Sequence, residues 1–174
     1  MTYIPLLIIG AGPIGLSCGI AAKDADISYQ IIEKGGLVDS IHNFPENMTF
    51  FSSSNNIEIG GIPFTSLSLR PSRAEALEYY RRVTQRFDLN VALFETFESI
   101  KKIDKVNGQG RFLVTTSKTT YTCDNIVNST GFFGEPVLMN VPGENLNKVE
   151  HYFKSAHPLF NQKIVVGGAS YSAI

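Results

Sequence analysis

At 174 residues, 43% of them hydrophobic, the chain holds enough apolar material for the core of one ordinary domain. Fifteen basic against sixteen acidic residues leave a net charge of −1, which removes the electrostatic case for nucleic acid or an anionic membrane surface. No apolar run reaches the ~20 residues of a membrane span, and the N-terminal stretch lacks the basic start and cleavage site of an export signal.

Residues 4–9 form an apolar run with Pro5 near its start, as in a buried strand. Gly10-Ala11-Gly12-Pro13-Ile14-Gly15 follows, and a helix is expected from about Gly12 to Lys23, presenting Leu16, Ile20 and Ala21 to a sheet. Residues 28–32 are the next strand, closed by Glu33, which completes a βαβ unit of ~30 residues. The stretch 35–72 is rich in Gly, Ser, Asn and Pro, and loops of that length are functional or disordered. Phe44, Phe50, Phe51 and Phe64 argue against disorder. Ser72 stands as an N-cap, with Glu75 completing a capping box, for a helix through Phe87. Arg70, Arg73, Arg81, Arg82 and Arg86 read as the start and solvated face of that helix rather than an anion site.

Short strands are then expected at 91–94, 97–103, 111–116 and 119–122. Gly108 and Gly110 mark one turn and Ser117-Lys118 the next, giving a β-meander that interrupts the parallel sheet. Residues 125–130 read as a further buried strand closed by Gly131. Residues 132–160, with Pro136, Pro142 and Pro158, lack periodicity and read as a crossover linker. A last strand, 164–166, runs into a second glycine loop, Gly167-Gly168-Ala169-Ser170-Tyr171-Ser172.

The first glycine loop has the chemistry of a dinucleotide site. Gly10 permits a tight turn out of the strand, Gly12 lets backbone approach a pyrophosphate, and Gly15 allows close packing of helix on sheet. The helix start, with Pro13 and Ile14 in its first turn, offers N–H groups and partial positive charge to the diphosphate. Glu33, followed by Lys34, sits where an acid accepts hydrogen bonds from an adenosine ribose, which favours FAD or NAD over NADP. The plain alternative is an ordinary glycine-rich turn. Ser52-Ser53-Ser54, between Phe51 and Asn55, either lines a flavin's ribityl or ring edge or is a serine-rich turn. His151 and His157, with no acidic or cysteine partner clustered nearby, read as surface or packing residues rather than metal ligands. Cys18 and Cys123 show neither CxxC nor metal-ligand spacing, and such usage fits a reducing cytoplasm.

Gly-Ala-Gly-Pro-Ile-Gly-Leu from Gly10, Ile31-Ile32-Glu33-Lys34 and Asn128-Ser129-Thr130-Gly131-Phe132-Phe133 resemble the flavoproteins with two dinucleotide-binding domains. Phe50-Phe51-Ser52-Ser53-Ser54, Ile57-Glu58-Ile59-Gly60, Tyr79-Tyr80-Arg81, Val141-Pro142-Gly143-Glu144, His151-Tyr152-Phe153-Lys154 and His157-Pro158 resemble their bacillithiol disulfide reductase-like branch, related to thioredoxin reductases. The resemblance spans the chain but only about half of a family member. It implies an α/β fold: a Rossmann-like FAD-binding domain over 1–131, a parallel sheet with helices and an inserted meander, incomplete without its C-terminal return segment. The linker 132–160 then leads into 161–174, the first strand and loop of a truncated NADPH-binding domain, with Gly167, Ala169 and Ser170 in a vestigial nucleotide loop. For FAD it implies contacts at Gly10, Gly12, Pro13, Ile14, Gly15, Glu33, Lys34, Phe51, Ser52, Phe97, Thr130 and Gly131. The activity implied is NADPH-dependent reduction of a low-molecular-weight thiol disulfide.

Several positions depart from that pattern. Members thought to reduce bacillithiol disulfide carry cysteine where Ile14 stands. Cys18, one turn deeper on the same face, reads as a small hydrophobe, and Cys123 in a meander strand reads likewise. The CxxC of thioredoxin reductases would fall at His151 and Lys154. In the second loop Ala169 and Ser172 replace preferred glycines, and in a monooxygenase-type linker Asn145 and Asn147 replace Phe and Gly before His151. The expectation is a flavin-binding portion inactive by itself, completed by a missing-half chain or present as a homodimer. Two alternatives stay open: a non-enzymatic FAD-binding module that docks to a partner, and a relative of flavin monooxygenases or ferredoxin–NADP reductases.

Overall fold

The computed structural model of the protein describes residues 2–104 and 108–168. At its centre β1 (Thr2–Ile9) lies between β2 (Tyr29–Ile32) and β6 (Thr120–Asn128), parallel to both. β3 (Val91–Ala92) continues the parallel part beyond β2. On the far side β5 (Phe112–Thr116) and β4 (Phe97–Lys102) add antiparallel pairings, so the six-stranded order is β3-β2-β1-β6-β5-β4.

The apolar run of β1 serves both faces of this sheet, which is why it does not alternate with polar residues. Ile8 and Ile31 face Leu16 and Ile20 of α1 (Pro13–Asp24) and Ala76, Tyr80 and Val83 of α3 (Arg73–Arg86). Leu7, Ile9 and Ile32 face the other way, into a second cluster with Val114, Tyr121 and Cys123. The antiparallel strands close this second cluster by rolling over it. The chain from β3 to β4 is only residues 93–96, although the two strands stand at opposite edges of the sheet. Glu95 N–H donates to Glu33 O at 2.7 Å and Ser117 N–H to Thr96 O at 2.9 Å, tying this link to the end of β2 and to the turn after β5.

The meander is therefore part of the same sheet rather than an interruption of it. The expected strands 119–122 and 125–130 are one strand, β6, whose first residues pair with β5 while the whole pairs with β1. The expected strand 91–94 shortens to Val91–Ala92, because Phe94 turns into a left-handed conformation. On α1 it is Ala22, not Ala21, that is buried; the helix faces the sheet through Leu16, Gly19 and Ile20, which turns Ala21 outward. Residues 164–166 are not a strand: Val165 is 98% exposed, and no strand pairs with them among the described residues. A strand needs a neighbour to accept its hydrogen bonds, and apolar composition alone supplies none.

The long segment 35–72 is ordered by α3. It contains the short α2 (Asp39–His42), a 3₁₀ turn, Ser54–Asn56, and an isolated antiparallel bridge between Thr49 and Ser72. Phe64 is buried and stacks on Tyr79 with ring centroids 4.3 Å apart. Tyr79 hydroxyl donates to Ile62 O and accepts from Ile59 N–H, both at 2.8 Å, and Tyr80 hydroxyl donates to Ile57 O at 2.7 Å. Burial holds both phenols above their ordinary pKa. The capping box of α3 forms as expected: Ser72 Oγ accepts from Glu75 N–H at 3.2 Å, and Glu75 Oε2 accepts from Ser72 N–H at 2.7 Å. No helix among the described residues is long and apolar enough to cross a membrane.

Candidate functional site

The glycine loop joins the carboxyl end of β1 to α1, held between the ends of β2 and β6. Gly10 has φ +104°, and a Cβ there would meet Ser129 O at 2.6 Å, so only glycine suits this position. At Gly15 a Cβ would overlap Gly10 O, which is the close helix–strand approach expected of it. Gly12 is different. Its φ of −74° is ordinary, and a Cβ would meet nothing within 4 Å, so folding of the chain does not require glycine there. α1 begins with Gly12 as N-cap, without a side-chain cap, and with Pro13 in its first turn. Its first N–H groups have no intrahelical partners by geometry, and Ile14 beside them is 67% exposed.

Glu33 is only 7% exposed, and both its oxygens are engaged. Oε2 accepts from Ala11 N–H at 2.7 Å and Oε1 from Gly35 N–H at 3.0 Å. One carboxylate thus fastens the glycine loop to the loop after β2. Val38 completes the fastening from the other side, donating its N–H to Ala11 O at 3.2 Å. Lys34 is exposed and reaches the crossover, its Nζ 3.0 Å from where a Cβ on Gly134 would stand.

On the β6 side, Ser129 Oγ donates to Ile9 O at 2.8 Å and Gly10 O at 3.0 Å. Thr130 and Gly131 follow, both exposed, with Gly131 at φ +69°. The fold therefore brings Gly10, Gly12, Pro13, Ile14, Gly15, Glu33, Thr130 and Gly131 to one edge of the sheet. Ser129 and Val38 are not among the expected contacts; the sequence signal for Ser129 is its place in the stretch 128–133, a small hydroxyl just before Thr130-Gly131.

The Phe97 ring packs into the second core cluster. Phe51 and Ser52 are exposed on a segment fastened to 69–72, through Phe50 N–H to Pro71 O and Ser54 N–H to Leu69 O. Gly167 is described, whereas Ala169 and Ser170 lie outside the described residues. His151 does have an acidic partner: its Nε2 is 3.2 Å from Glu144 Oε1. The buried Glu144 also accepts from Met139 N–H at 2.9 Å and Asn140 N–H at 2.6 Å, and these bonds, the Met139 one foremost, hold its pKa below the usual range. Arg73 caps α2, donating to Ile41 O and His42 O, and Arg81 and Arg82 pair with Glu78. Cys18 packs at the margin of the main core. Cys123 is fully buried, and burial pushes its thiol up to about 11.

Comparison with known proteins agrees with this geometry. The profile of the pyridine nucleotide-disulphide oxidoreductase family matches residues 7–174. Bacilliredoxin reductase Bdr of Bacillus subtilis is 44% identical over 168 residues, covering 97% of this chain and 51% of that protein. The structure of bacillithiol disulfide reductase Bdr (YpdA) from Staphylococcus aureus superposes with a TM-score of 0.86 at 42% identity, covering 91% of this chain and 47% of that one. A flavin monooxygenase from Stenotrophomonas maltophilia shares the fold, with a TM-score of 0.72 at 23% identity. The chain thus spans about half the length of the curated relatives it matches. The chain carries a Rossmann-type α/β fold and belongs to the pyridine nucleotide-disulphide oxidoreductase family.

Proposed function

We propose that this chain is the FAD-binding portion of an NADPH-dependent flavoprotein oxidoreductase that reduces a disulfide of a low-molecular-weight thiol or of its redoxin. The carrying observation for the acceptor class is 44% identity along 97% of the chain to a bacilliredoxin reductase. The glycine loop supports the cofactor reading. Its donors are those an anionic diphosphate needs: an uncapped helix start, a residue 12 without side chain, and open space beside it. A carboxylate has about four lone-pair positions. Ala11 and Gly35 take one on each oxygen of Glu33, which leaves capacity for ribose hydroxyls.

Bound flavin would supply the hydride and electron transfer, and the protein's contribution is binding and orientation. Glu33 fixes the loop and receives the ribose, the start of α1 receives the diphosphate, and Thr130-Gly131 leaves exposed backbone for the flavin end. The domain division at 131 and 160 belongs to this proposal, as does the nicotinamide loop at Gly167, Ala169 and Ser170. Flavin monooxygenases and ferredoxin–NADP reductases are similar to the chain at lower identity, and the 44% identity to the bacilliredoxin reductase is what favours the disulfide reading over them.

The test is purification of the chain and measurement of flavin absorbance, then titration of the stripped protein with FAD. Stoichiometric yellow protein is expected. A folded chain that takes up no FAD refutes the cofactor reading. For the acceptor, the protein carrying the chain is assayed for NADPH oxidation with bacillithiol disulfide and with an oxidised bacilliredoxin. Turnover with neither refutes the acceptor class.

A further inference from the structure

Six non-glycine residues have positive φ among the described residues: Asp26, Val38, Asp88, Phe94, Asn140 and Asn161. Four are Asp or Asn, which tolerate that conformation. The other two, Val38 and Phe94, carry its full steric cost, and both bond to the segment that fastens Glu33. Val38 N–H donates to Ala11 O at 3.2 Å, and Phe94 N–H donates to Gly35 O at 3.0 Å. Val38 is 2% exposed, so the packing of its side chain offsets the strain. Phe94 is 66% exposed. It combines a disfavoured backbone with an aromatic ring in solvent, and its ring gains little from the ligand-free fold. Strain of this kind persists mainly where function requires it.

The position of Phe94 says what that function is. β1, β2 and β3 are successive neighbours and parallel, so the residues that follow them line up along one edge of the sheet. After β1 comes the glycine loop, after β2 comes Glu33, and after β3 comes Phe94. A dinucleotide with its diphosphate on the loop and its ribose at Glu33 runs along this edge in the same direction. The next group beyond that ribose is the base.

On the reading of the glycine loop as an FAD site, we propose that Phe94 is the base-facing residue of that site, its exposed ring lying against the adenine. The ring offers an apolar, polarisable face of the kind on which bases stack. The strained backbone keeps that face at the edge of the sheet instead of letting it fold onto the core.

The experiment is titration of the full chain with FAD, followed by fluorescence quenching, with ADP as competitor and with melting of the ligand-free protein measured alongside. Phe94→Asn suits the left-handed backbone and removes the ring. It is expected to melt no lower than the wild type while binding FAD and ADP roughly tenfold more weakly. Phe94→Tyr keeps the ring and should stay within about twofold of the wild type. FAD and ADP affinities unchanged in F94N, or F94Y as weak as F94N, overturn the proposal. If the wild type binds FAD, Gly12→Val abolishes binding and F94N does not alter it, only the role of Phe94 fails. A wild-type chain that takes up no FAD overturns the cofactor reading and this inference together.

Discussion

Gly12 and Gly15 lie one turn apart at the start of α1, and the structure gives their missing side chains different reasons. A Cβ on Gly15 would overlap Gly10 O, so the close packing of helix against strand forbids it. Gly15→Ala should therefore lower stability by about 1–3 kcal/mol, the usual cost of overpacking, measurable by urea unfolding. A Cβ on Gly12 meets nothing, and its backbone is ordinary. Gly12→Val should lower stability by no more than the ~1 kcal/mol of a poorer N-cap while abolishing flavin retention, because the valine occupies the space proposed for the diphosphate. A flavin-free G12V that has also lost its fold would assign Gly12 a structural role instead. Glu33→Ala removes two hydrogen bonds to a charged acceptor and strands the Ala11 and Gly35 N–H groups. Charge-assisted bonds are worth ~1.5–3 kcal/mol each, so E33A should weaken both the fold and FAD affinity, while Glu33→Gln keeps part of each. At this scale Gly10 and Gly15 were legible from the turn and the close packing they permit, and Gly12 and Glu33 from the spacing of the nucleotide-loop motif. Val38 and Phe94 were not, because nothing in a sequence marks a valine or phenylalanine as left-handed.

At the scale of elements, α3 is held to the long segment before it by Glu75. Oε1 accepts from Ser66 Oγ at 3.0 Å and Leu67 N–H at 2.9 Å, and Oε2 accepts from Ser72 N–H. These bonds, the Ser72 N–H foremost, favour the carboxylate and pull its pKa down to about 2. An unfolded chain returns it to ~4.3. The folded pKa is the lower of the two, so its stabilisation is present in full above the unfolded value. It is lost as pH falls through that window to about 2. Melting measured between those pH values should fall more steeply for the wild type than for Glu75→Gln. Parallel curves would mean that the carboxylate contributes nothing. Ser72→Ala should cost ~1 kcal/mol, the usual value of an N-cap. The capping box was legible because it is written in residues three apart. The link to Ser66 and Leu67 was not, because it depends on how the preceding loop folds back.

For the whole molecule, β1 belongs to two cores. Leu7 and Ile8 are both fully buried but point to opposite clusters. Leu7→Ala and Ile8→Ala should each cost ~2–5 kcal/mol, combining lost transfer energy with a cavity. Each variant should still unfold in one transition, because the shared strand couples the clusters; two transitions seen by circular dichroism and fluorescence would show that they melt separately. Cys123 lies in the second cluster with its thiol pushed up to about 11 by burial. It should resist thiol reagents in the native chain and react only on unfolding, leaving Cys18, at the margin of the main core, to account for native labelling.

By itself the sequence determined the βαβ unit, the glycine turn, the acid after β2 and the capped start of α3. Each depends on residues close together in the chain, where backbone sterics and local hydrogen bonds decide. Tertiary structure alone decided that residues 120–128 are one strand, that Ala22 rather than Ala21 is buried, and that the Phe97 ring belongs to a core. It also decided that Glu33, Ser129 and Val38 converge on one loop. Those outcomes rest on which strands become neighbours and how the sheet rolls, which are settled by contacts between segments far apart in the chain.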